Sequence, residues 1–360
     1  MMKIYGSRVS YYTGKLETYL RYRKIPYELI GMPYGKTQRI TDNVGVIQMP
    51  IVECDDGRWM SDTTPILFEL EKDYADHPSI PADPVAAFIA RLIEDYADEW
   101  LWRAAMHYRW SYPYARELIS GILVDEVTQH VRAPRFLKRR RITKRQINHF
   151  VKRDGVNDQT RSHVEQGYFS ALDNMSAMLA GRPFLLGDAP SLADFGLMAP
   201  MLRHFGQDPE PEEIMRGRAP AVYEWVARMW NVQMDTKPKF IGAIPDDTTP
   251  MLKEICETHL EQLTANAAAF GADKKRFEMT AQGCRYTDLP VSRYRVWCLE
   301  QLRANFAALS PQEQETVKAL LPHDQAAILW AAEIPAVSDY DKGGQLPFGK
   351  AINVYTGGIP

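Results

Sequence analysis

Hydroxyl and acidic residues stand together at two points of the sequence where helices are predicted to begin. Ser10, Tyr11 and Tyr12 form the first run, in a loop between a short apolar strand and a helix. Asp62 and Thr63 form the second run, just ahead of a proline that is typical of a first helical turn. Unpaired backbone N–H groups and the helix dipole at such a start favour a carboxylate. The second run therefore predicts a point that binds a carboxylate, and the first run offers hydroxyl donors.

The elements that must position the first run form a strand–loop–helix–strand unit. Lys3–Tyr5 predicts a strand, Lys15–Lys24 a helix with one apolar face, and Tyr27–Ile30 a second strand. This order favours a parallel pair of strands that are joined by the helix. A ligand would then lie beyond the carboxyl end of the first strand, where the helix begins.

The second run follows a strand, a hairpin and a short return strand. Val46–Glu53 is an apolar, β-rich run interrupted by Pro50, which marks an edge, a bulge or a strand entrance. The Met49–Pro50 peptide bond could be cis. Residues 55–57, Asp-Asp-Gly, are typical of a hairpin, and residues 66–74 carry a helical apolar stripe. The unit is therefore strand, hairpin, strand and a helix whose amino end is exposed.

This arrangement resembles the thioredoxin-fold domain of the glutathione transferase superfamily. The proline that precedes the third strand in that family matches Gln48-Met49-Pro50, and the acid–hydroxyl pair that opens the third helix matches Asp62-Thr63. The resemblance implies that these residues bind glutathione. Met49 would pair its backbone with the cysteinyl part, and Asp62 and Thr63 would hold the γ-glutamyl end. The alternative is a strand entrance at Pro50 and a simple helix cap at Asp62.

The Ser-Tyr-Tyr-Thr run at residues 10–13 occupies the position of the redox Cys-Pro-Tyr-Cys pair of glutaredoxins. Both cysteines are absent, so the resemblance implies activation of a thiol rather than thiol–disulfide exchange. An unperturbed thiol titrates near ~8.5, and a hydroxyl donor at a helix start stabilises the thiolate. Ser10 is the first choice for this role and Tyr11 or Tyr12 the second, with a helix N-cap as the alternative for Ser10. The region also resembles metaxin-like members, some of which have no established catalysis.

The pattern changes to long helices after the proline-rich segment 78–84. Residues 86–110 carry apolar side chains at helical spacing over about seven turns, and the second half of this run is rich in aromatic residues. The resemblance implies that this helix lines a pocket for a second, apolar substrate, and the alternative is that the rings form core. The candidate pocket residues are Trp100, His107, Tyr108 and Trp110.

Ser191 and Asp194 have the spacing of a capping box at the start of a later helix. Ser191 would cap the first turn, and the Asp194 carboxylate would accept from the Ser191 backbone N–H. The box follows Gly-Asp-Ala-Pro and resembles the one in the helical domain of glutathione transferases. It predicts a role in folding rather than in chemistry.

Arg132–Arg153 is a strongly basic segment. It could contact phosphate or an acidic partner, or it could be a solvated insertion between two helices. The net charge of the whole chain is −3, and few aromatic residues interleave the basic ones. Both observations argue against nucleic acid as the main partner.

The composition is typical of a soluble protein of one or two domains, since 45% of the 360 residues are hydrophobic and 25% are charged. We find no apolar run of the roughly eighteen residues that a membrane helix needs, and the amino terminus lacks the apolar core of a signal peptide. The cysteines form no C-x-x-C pair, so we expect no disulfide framework, no metal site and a cytoplasmic location. They are Cys54, Cys256, Cys284 and Cys298.

These patterns predict a thioredoxin-like α/β domain over residues 1–77, an all-helical domain over residues 85–235 and a mostly helical extension over residues 236–360. The resemblance implies a glutathione-dependent transferase or lyase. Glutathione would be the co-substrate of an apolar electrophile, and the protein would be a homodimer that binds neither nucleic acid nor membrane. A non-catalytic thioredoxin-fold binding module is the alternative, and a redox enzyme is a third reading. The extension would cover the cleft, build the dimer surface or form a separate module, with residues 335–360 as an ordered wrap or a loose tail.

Overall fold

The computed structural model describes residues 1–235, 237–333, 336–352 and 354, in which a small mixed sheet with its helices is followed by a long series of helices. The strands are β1 (Met2–Gly6), β2 (Tyr27–Gly31), β3 (Ile51–Glu53), β4 (Trp59–Ser61), β5 (Arg276–Ala281) and β6 (Cys284–Pro290). The α-helices are α1 (Tyr11–Tyr22), α2 (Gln38–Val44), α3 (Thr63–Glu71), α4 (Pro84–Glu99), α5 (Leu101–Ser111), α6 (Pro113–Val127), α7 (Arg135–Gln146), α8 (Arg161–Leu179), α9 (Leu192–Pro200), α10 (Pro209–Arg218), α11 (Pro220–Asn231), α12 (Thr249–Glu254), α13 (Glu261–Gly271), α14 (Arg293–Ala307) and α15 (Pro311–Leu320). Short 3-10 helices span Lys72–Tyr74, Asp246–Thr248 and Asp324–Leu329, and π-helical turns span Ile147–Lys152, Met201–Phe205 and Ile255–Leu260.

The first sheet has the strand order β2-β1-β3-β4. Strands β1 and β2 are parallel, with Met2 opposite Tyr27, whereas β3 pairs antiparallel with both β1 and β4. The predicted parallel pair and the predicted hairpin are both confirmed, and the Met49–Pro50 bond before β3 is cis. The predicted fold, a thioredoxin-like unit followed by helices, is therefore confirmed.

Neighbouring residues of each strand face opposite sides of the sheet, as the period of two requires. Ile4 and Val52 belong to the large core that contains residues of α1 and α3. Tyr5 and Ile51, one position away, belong to a smaller cluster with residues of α2. The sheet is thus covered by α1 and α3 on one side and by α2 on the other.

The prediction of one continuous helix over residues 86–110 is wrong at Trp100. Helix α4 ends at Glu99 and α5 begins at Leu101, because Trp100 has φ −102° and ψ −51°, away from the α-helical values. The break changes which side chains of α5 share a face with those of α4. It matters below, because the cavity lies beside both helices.

A buried ion network joins α1, α3 and α4. The Lys15 ammonium is fully buried and contacts the carboxylates of Glu94 and Asp98 and the hydroxyl of Thr64. Breaking such a buried pair costs about 3–5 kcal/mol, because the remaining charge has no partner. The network therefore holds the starts of α1 and α3, which carry the predicted site residues, against α4.

The carboxyl-terminal extension packs directly on the helical part. His259 Nε2 lies 2.7 Å from Asp95 Oδ2 on α4, and both side chains are buried. The Arg103 guanidinium of α5 donates to Gln262 Oε1 at 2.7 Å. The extension also contains a hairpin, formed by the antiparallel strands β5 and β6. The extension is thus continuous with the packing of α4 and α5.

The described part of residues 335–360 wraps around the edge strand β4. The Ser61 N–H donates to the Pro347 carbonyl at 3.0 Å, and the Ala351 N–H donates to the Val44 carbonyl at 2.9 Å. Gly45 has φ +83°, and a Cβ there would lie 2.4 Å from the Ala351 carbonyl oxygen, so a glycine is required. Of the segment predicted as a wrap or a tail, residues 335, 353 and 355–360 lie outside the described residues.

The capping box at α9 is present and is expected to be a main support of the fold. The buried Asp194 carboxylate accepts from the backbone N–H groups of Ser191 and Leu185, each at 2.9 Å, and from the Trp225 indole at 3.2 Å. Asp194→Ala should lower the free energy of unfolding by about 3–5 kcal/mol, since it leaves these buried donors without an acceptor. Urea unfolding measures this change.

The matched control is Asp173→Ala on α8, which removes a half-exposed carboxylate that pairs with Arg218. Exposed ion pairs contribute about 0–1 kcal/mol. Equal losses in the two variants would contradict the assignment of the capping box as a main support.

Candidate functional site

A cavity of about 300 Å³ lies where the first sheet, α1, α3, α4, α5 and the extension meet. All the site residues that the sequence predicts on the amino-terminal unit line it: Ser10, Tyr11, Tyr12, Gln48, Met49, Pro50, Asp62 and Thr63. The structure thus brings together two runs that are fifty residues apart in the sequence.

Ser10 stands at the N-cap position of α1, with φ −85° and ψ 134°. Its Oγ accepts from the Thr13 backbone N–H at 3.5 Å, the long limit for a hydrogen bond. Among the described residues we find no acceptor for its own proton. The hydroxyl can therefore donate to an anion bound in front of the helix start, where the dipole adds to the attraction.

The two tyrosines beside Ser10 use their protons inside the protein. Tyr11 donates to the Ala97 carbonyl at 2.6 Å, and Tyr12 donates to the Asp98 carbonyl at 2.9 Å. Burial, together with the nearby carboxylates on α4, raises the pKa of both phenols well above the ordinary value. Both tyrosines therefore stay protonated and hydrogen-bonded to α4. Of the three hydroxyls, that of Ser10 can donate to a ligand.

The loop before β3 brings backbone groups to the same cavity. The last pair in the register of β1 and β3 joins Tyr5 and Ile51. Met49 and Pro50 precede this pair, so their backbone lies beyond the paired part of the sheet and lines the cavity. A peptide-like ligand could pair with the Met49 backbone as a short additional strand.

Asp62 has a strained backbone and a carboxylate that does not cap α3. Its φ is +72° with ψ 112°, a conformation that non-glycine residues rarely adopt, and its side chain makes no capping hydrogen bond. Oδ1 accepts from the Tyr294 hydroxyl at 3.1 Å. Oδ2 is buried, and in the part of the chain that the structure describes it has no hydrogen-bond partner. A buried acceptor without a partner is costly, which points to a ligand donor.

Burial raises the pKa of Asp62 to about 6, although the Tyr294 hydroxyl and the Lys15 ammonium oppose the rise. Thr63 is buried next to Asp62, in the first turn of α3. Free backbone N–H groups in such a turn attract a carboxylate. This corner can therefore take a zwitterion, whose ammonium group would meet Asp62 and whose carboxylate would meet the helix start.

Aromatic and apolar side chains form the other end of the cavity. Tyr12 and Trp102 are stacked with ring centroids 5.6 Å apart and planes 17° apart, and Phe150 packs edge-on against Trp102 at 5.6 Å. Met106 and Trp110 continue the lining along α5. Stacked and edge-on rings of this kind suit a flat apolar ligand.

Of the four pocket residues that the sequence predicts on α4 and α5, Trp110 lines this cavity and the others lie elsewhere. Trp100 packs edge-on against Tyr286 of the extension, with ring centroids 6.2 Å apart. His107 Nε2 lies 2.9 Å from Glu165, and Tyr108 is stacked on Tyr112. These three rings occupy core, the arrangement given above as the alternative.

Sequence reasoning missed Trp102, Phe150 and the extension residues of the lining. Trp102, Met106 and Arg109 have helical spacing on α5, so they could have been found once the break at Trp100 was known. The extension contributes Ser292, Tyr294, Arg295 and Val354. The resemblance does not reach these residues, and no local pattern marks them.

The basic segment 132–153 lies apart from this cavity for most of its length. It forms α7, in which no residue is buried, and the turn that follows. A more open groove of about 630 Å³ lies between α6 and α7, with Arg116, Arg140 and Lys144 among its lining residues. A solvated insertion and a contact with an acidic partner both stay predictions.

Two family models match this chain in the order of its parts. The glutathione S-transferase N-terminal domain matches residues 4–78, and the glutathione S-transferase C-terminal domain matches residues 158–228. These two stretches of the chain are glutathione S-transferase domains. The resemblance drawn from the sequence is confirmed at this level, and the second match ends at residue 228, ahead of the extension.

Three solved glutathione transferase-like structures illustrate the similarity. A glutathione S-transferase from Methylobacillus flagellatus, solved with glutathione bound, has 17% identity and a TM-score of 0.40, with 63% of this chain and 94% of that chain covered. Beta-etherase LigF from Sphingobium sp. strain SYK-6 has 17% identity and a TM-score of 0.44, with the same coverage. A glutathione S-transferase from Rhodospirillum rubrum has 19% identity and a TM-score of 0.41, with 71% and 93% covered.

No curated protein matches this chain significantly. Within the described ranges, none of the helices combines the length and the apolar character that crossing a membrane requires.

Proposed function

We propose that this protein is a serine-type, glutathione-dependent transferase or lyase in which Ser10 stabilises the thiolate of bound glutathione. The observation that carries the proposal is the shared cavity. Ser10, the Met49 backbone and the unpartnered oxygen of Asp62 all line it. These groups match the thiol, the cysteinyl backbone and the γ-glutamyl ammonium of one tripeptide.

The chemical step needs little from the protein beyond placement and one hydrogen bond. The thiol loses its proton to water, and the Ser10 hydroxyl donates to the thiolate sulfur. The sulfur attacks an electrophilic carbon of the second substrate, forming a C–S bond, and the leaving group departs with its electron pair. Proximity and thiolate stabilisation are the main contributions of such a site.

The second substrate would lie against the aromatic end of the cavity. Tyr12, Trp102 and Phe150 provide stacked and edge-on faces beside the predicted position of the sulfur. We therefore propose a flat apolar electrophile, such as an aryl ether, an aryl halide or an epoxide with an aromatic substituent.

A non-catalytic binding module, including a metaxin-like one, is the second candidate. The size of the cavity favours it, because about 300 Å³ lies at the small end of the range of roughly 300–1,000 Å³ for small-molecule sites. Glutathione alone would fill much of such a space. Such a module would bind glutathione, another ligand or a protein without catalysing a reaction.

Calorimetric titration with glutathione, followed by turnover assays with aryl ethers, epoxides and halides, separates these possibilities. Binding together with turnover of any member of the panel supports the transferase. Binding without turnover favours the module. An absence of binding at millimolar glutathione would contradict the transferase and favour a module that binds another ligand or a protein. Light scattering on the same sample measures whether the protein is the predicted homodimer, and its cytoplasmic location stays a prediction.

Glutathione affinity is expected to fall as the pH drops through about 6. The ligand ammonium stays protonated in this range, so affinity follows the ionised fraction of Asp62, whose pKa is raised by burial to about 6. Each further pH unit below this value should weaken binding by up to about tenfold. With an ordinary aspartate the loss would begin about two units lower. Titrations between pH 5 and 8 measure the profile, and a flat profile would show that Asp62 does not carry the ammonium.

A further inference from the structure

We infer that the carboxyl-terminal extension forms a wall of the ligand site and that Tyr294 is a positioning residue, which holds the Asp62 carboxylate for the ligand's ammonium group. The inference rests on the proposed binding of glutathione and goes beyond it. It assigns a role to a part of the chain that lies outside both matched family models.

The first step is that the extension is part of the cavity itself. Ser292, Tyr294 and Arg295, at the start of α14, line it together with Asp62 and Glu99. The Arg295 guanidinium donates to the Glu99 carboxylate of α4 at 3.1 Å. The start of α14 thus contacts Asp62 through Tyr294 and helix α4 through Arg295.

The second step is that Tyr294 is held rigidly. The Ser292 N–H donates to the Asn266 side chain, and the Asn266 side chain donates back to the Ser292 carbonyl, each at 2.8 Å. The Tyr294 ring packs edge-on against Tyr340, with centroids 5.1 Å apart, and lies tilted by 32° against Trp297, with centroids 5.4 Å apart. The phenol therefore reaches Asp62 from a fixed backbone and between fixed rings.

The third step is that Asp62 depends on this contact for its orientation. Its side chain makes no cap bond to α3, and the Tyr294 hydroxyl donates to Oδ1 at 3.1 Å. With Oδ1 occupied, Oδ2 is the oxygen left for a ligand. The Tyr294 hydroxyl thus selects which carboxylate oxygen meets the ammonium group.

The same hydrogen bond favours the ionised form of Asp62 and so lowers its pKa against the effect of burial. The Lys15 ammonium and the Arg91 guanidinium act in the same direction, and the Glu94 carboxylate acts against them. Two neutral buried groups of the extension, the Cys298 thiol and the Tyr340 phenol, also lie near Asp62. Removing the Tyr294 hydroxyl should therefore raise the pH at which Asp62 ionises.

Tyr294→Phe removes this hydroxyl and keeps the ring. We expect glutathione to bind about tenfold more weakly at pH 7, since a hydrogen bond to a charged group is lost. The lower pH limit of binding should also move upward by about one unit. A purely structural role would weaken binding without moving the pH profile. Calorimetry in the full-length protein at several pH values measures both effects.

Tyr340→Phe is the matched control, because it removes a buried hydroxyl from the neighbouring ring of the extension. In the described part of the chain the Tyr340 hydroxyl has no hydrogen-bond partner. This variant should bind glutathione within about twofold of the parent, with the same pH profile. A Tyr294→Phe variant that matched the parent in affinity and profile would overturn the inference while leaving the proposed function intact. A parent that failed to bind glutathione would overturn both.

Discussion

Asp62→Asn is expected to weaken glutathione binding by about 100-fold at pH 7. A charge-assisted hydrogen bond between a buried carboxylate and an ammonium group contributes about 2–3 kcal/mol, and the substitution removes the charge. Asparagine has nearly the same shape, and its side-chain oxygen can still accept from the Tyr294 hydroxyl. The fold should therefore survive, and the loss should appear as a higher dissociation constant in calorimetry.

The pH profile gives this prediction a second test. An amide does not titrate, so the fall in affinity below pH 6 should disappear in the variant. Asp56→Asn, in the exposed hairpin of the same unit, is the control, because its carboxylate pairs with Arg58 at the surface. We expect no change in affinity for that variant. If Asp62→Asn bound glutathione as tightly as the parent, the ammonium group would lie elsewhere.

The amino-terminal half of the site could be predicted from the sequence because its signals are local. The proline before β3, the hairpin and the acid–hydroxyl pair each occupy a few consecutive residues. These elements bring Ser10, Met49 and Asp62 to one cavity. The backbone conformations and hydrogen-bond partners of these residues could not be predicted. Whether Asp62 caps α3 depends on its φ of +72° and on a partner from the extension.

The other side chains that line the cavity could not be predicted, because their positions depend on non-local packing. The break at Trp100 comes from a distorted backbone at a single residue, with φ −102°, which the apolar spacing of residues 86–110 does not reveal. It turns Trp102 rather than Trp100 toward the cavity. Tyr294 lies 232 residues from Asp62 in the sequence, so only the folded chain shows that the two residues meet.

Ser10→Ala is expected to lower turnover by up to about 25-fold at pH 7 while changing glutathione affinity by less than about threefold. The hydroxyl is proposed to lower the pKa of the bound thiol by about two units, which corresponds to roughly 2.7 kcal/mol. One charge-assisted hydrogen bond to the thiolate can supply this amount. Without it, the thiol pKa should rise from ~6.5 toward ~8.5, and the thiolate fraction at pH 7 should fall from about three quarters to about 3%.

Ultraviolet absorption of the bound thiolate against pH measures this pKa directly, independently of any second substrate. Tyr11→Phe and Tyr12→Phe are the comparisons, because each removes a phenol hydroxyl that donates to a carbonyl of α4. These variants should leave the thiol pKa within about half a unit of the parent, since their protons already have acceptors in the protein. If the thiol pKa rose in either tyrosine variant but did not change in Ser10→Ala, that tyrosine would be the donor to the thiolate. Because the three hydroxyls stand at consecutive positions of one helix start, only such a measurement of the sulfur itself separates the donor from its neighbours.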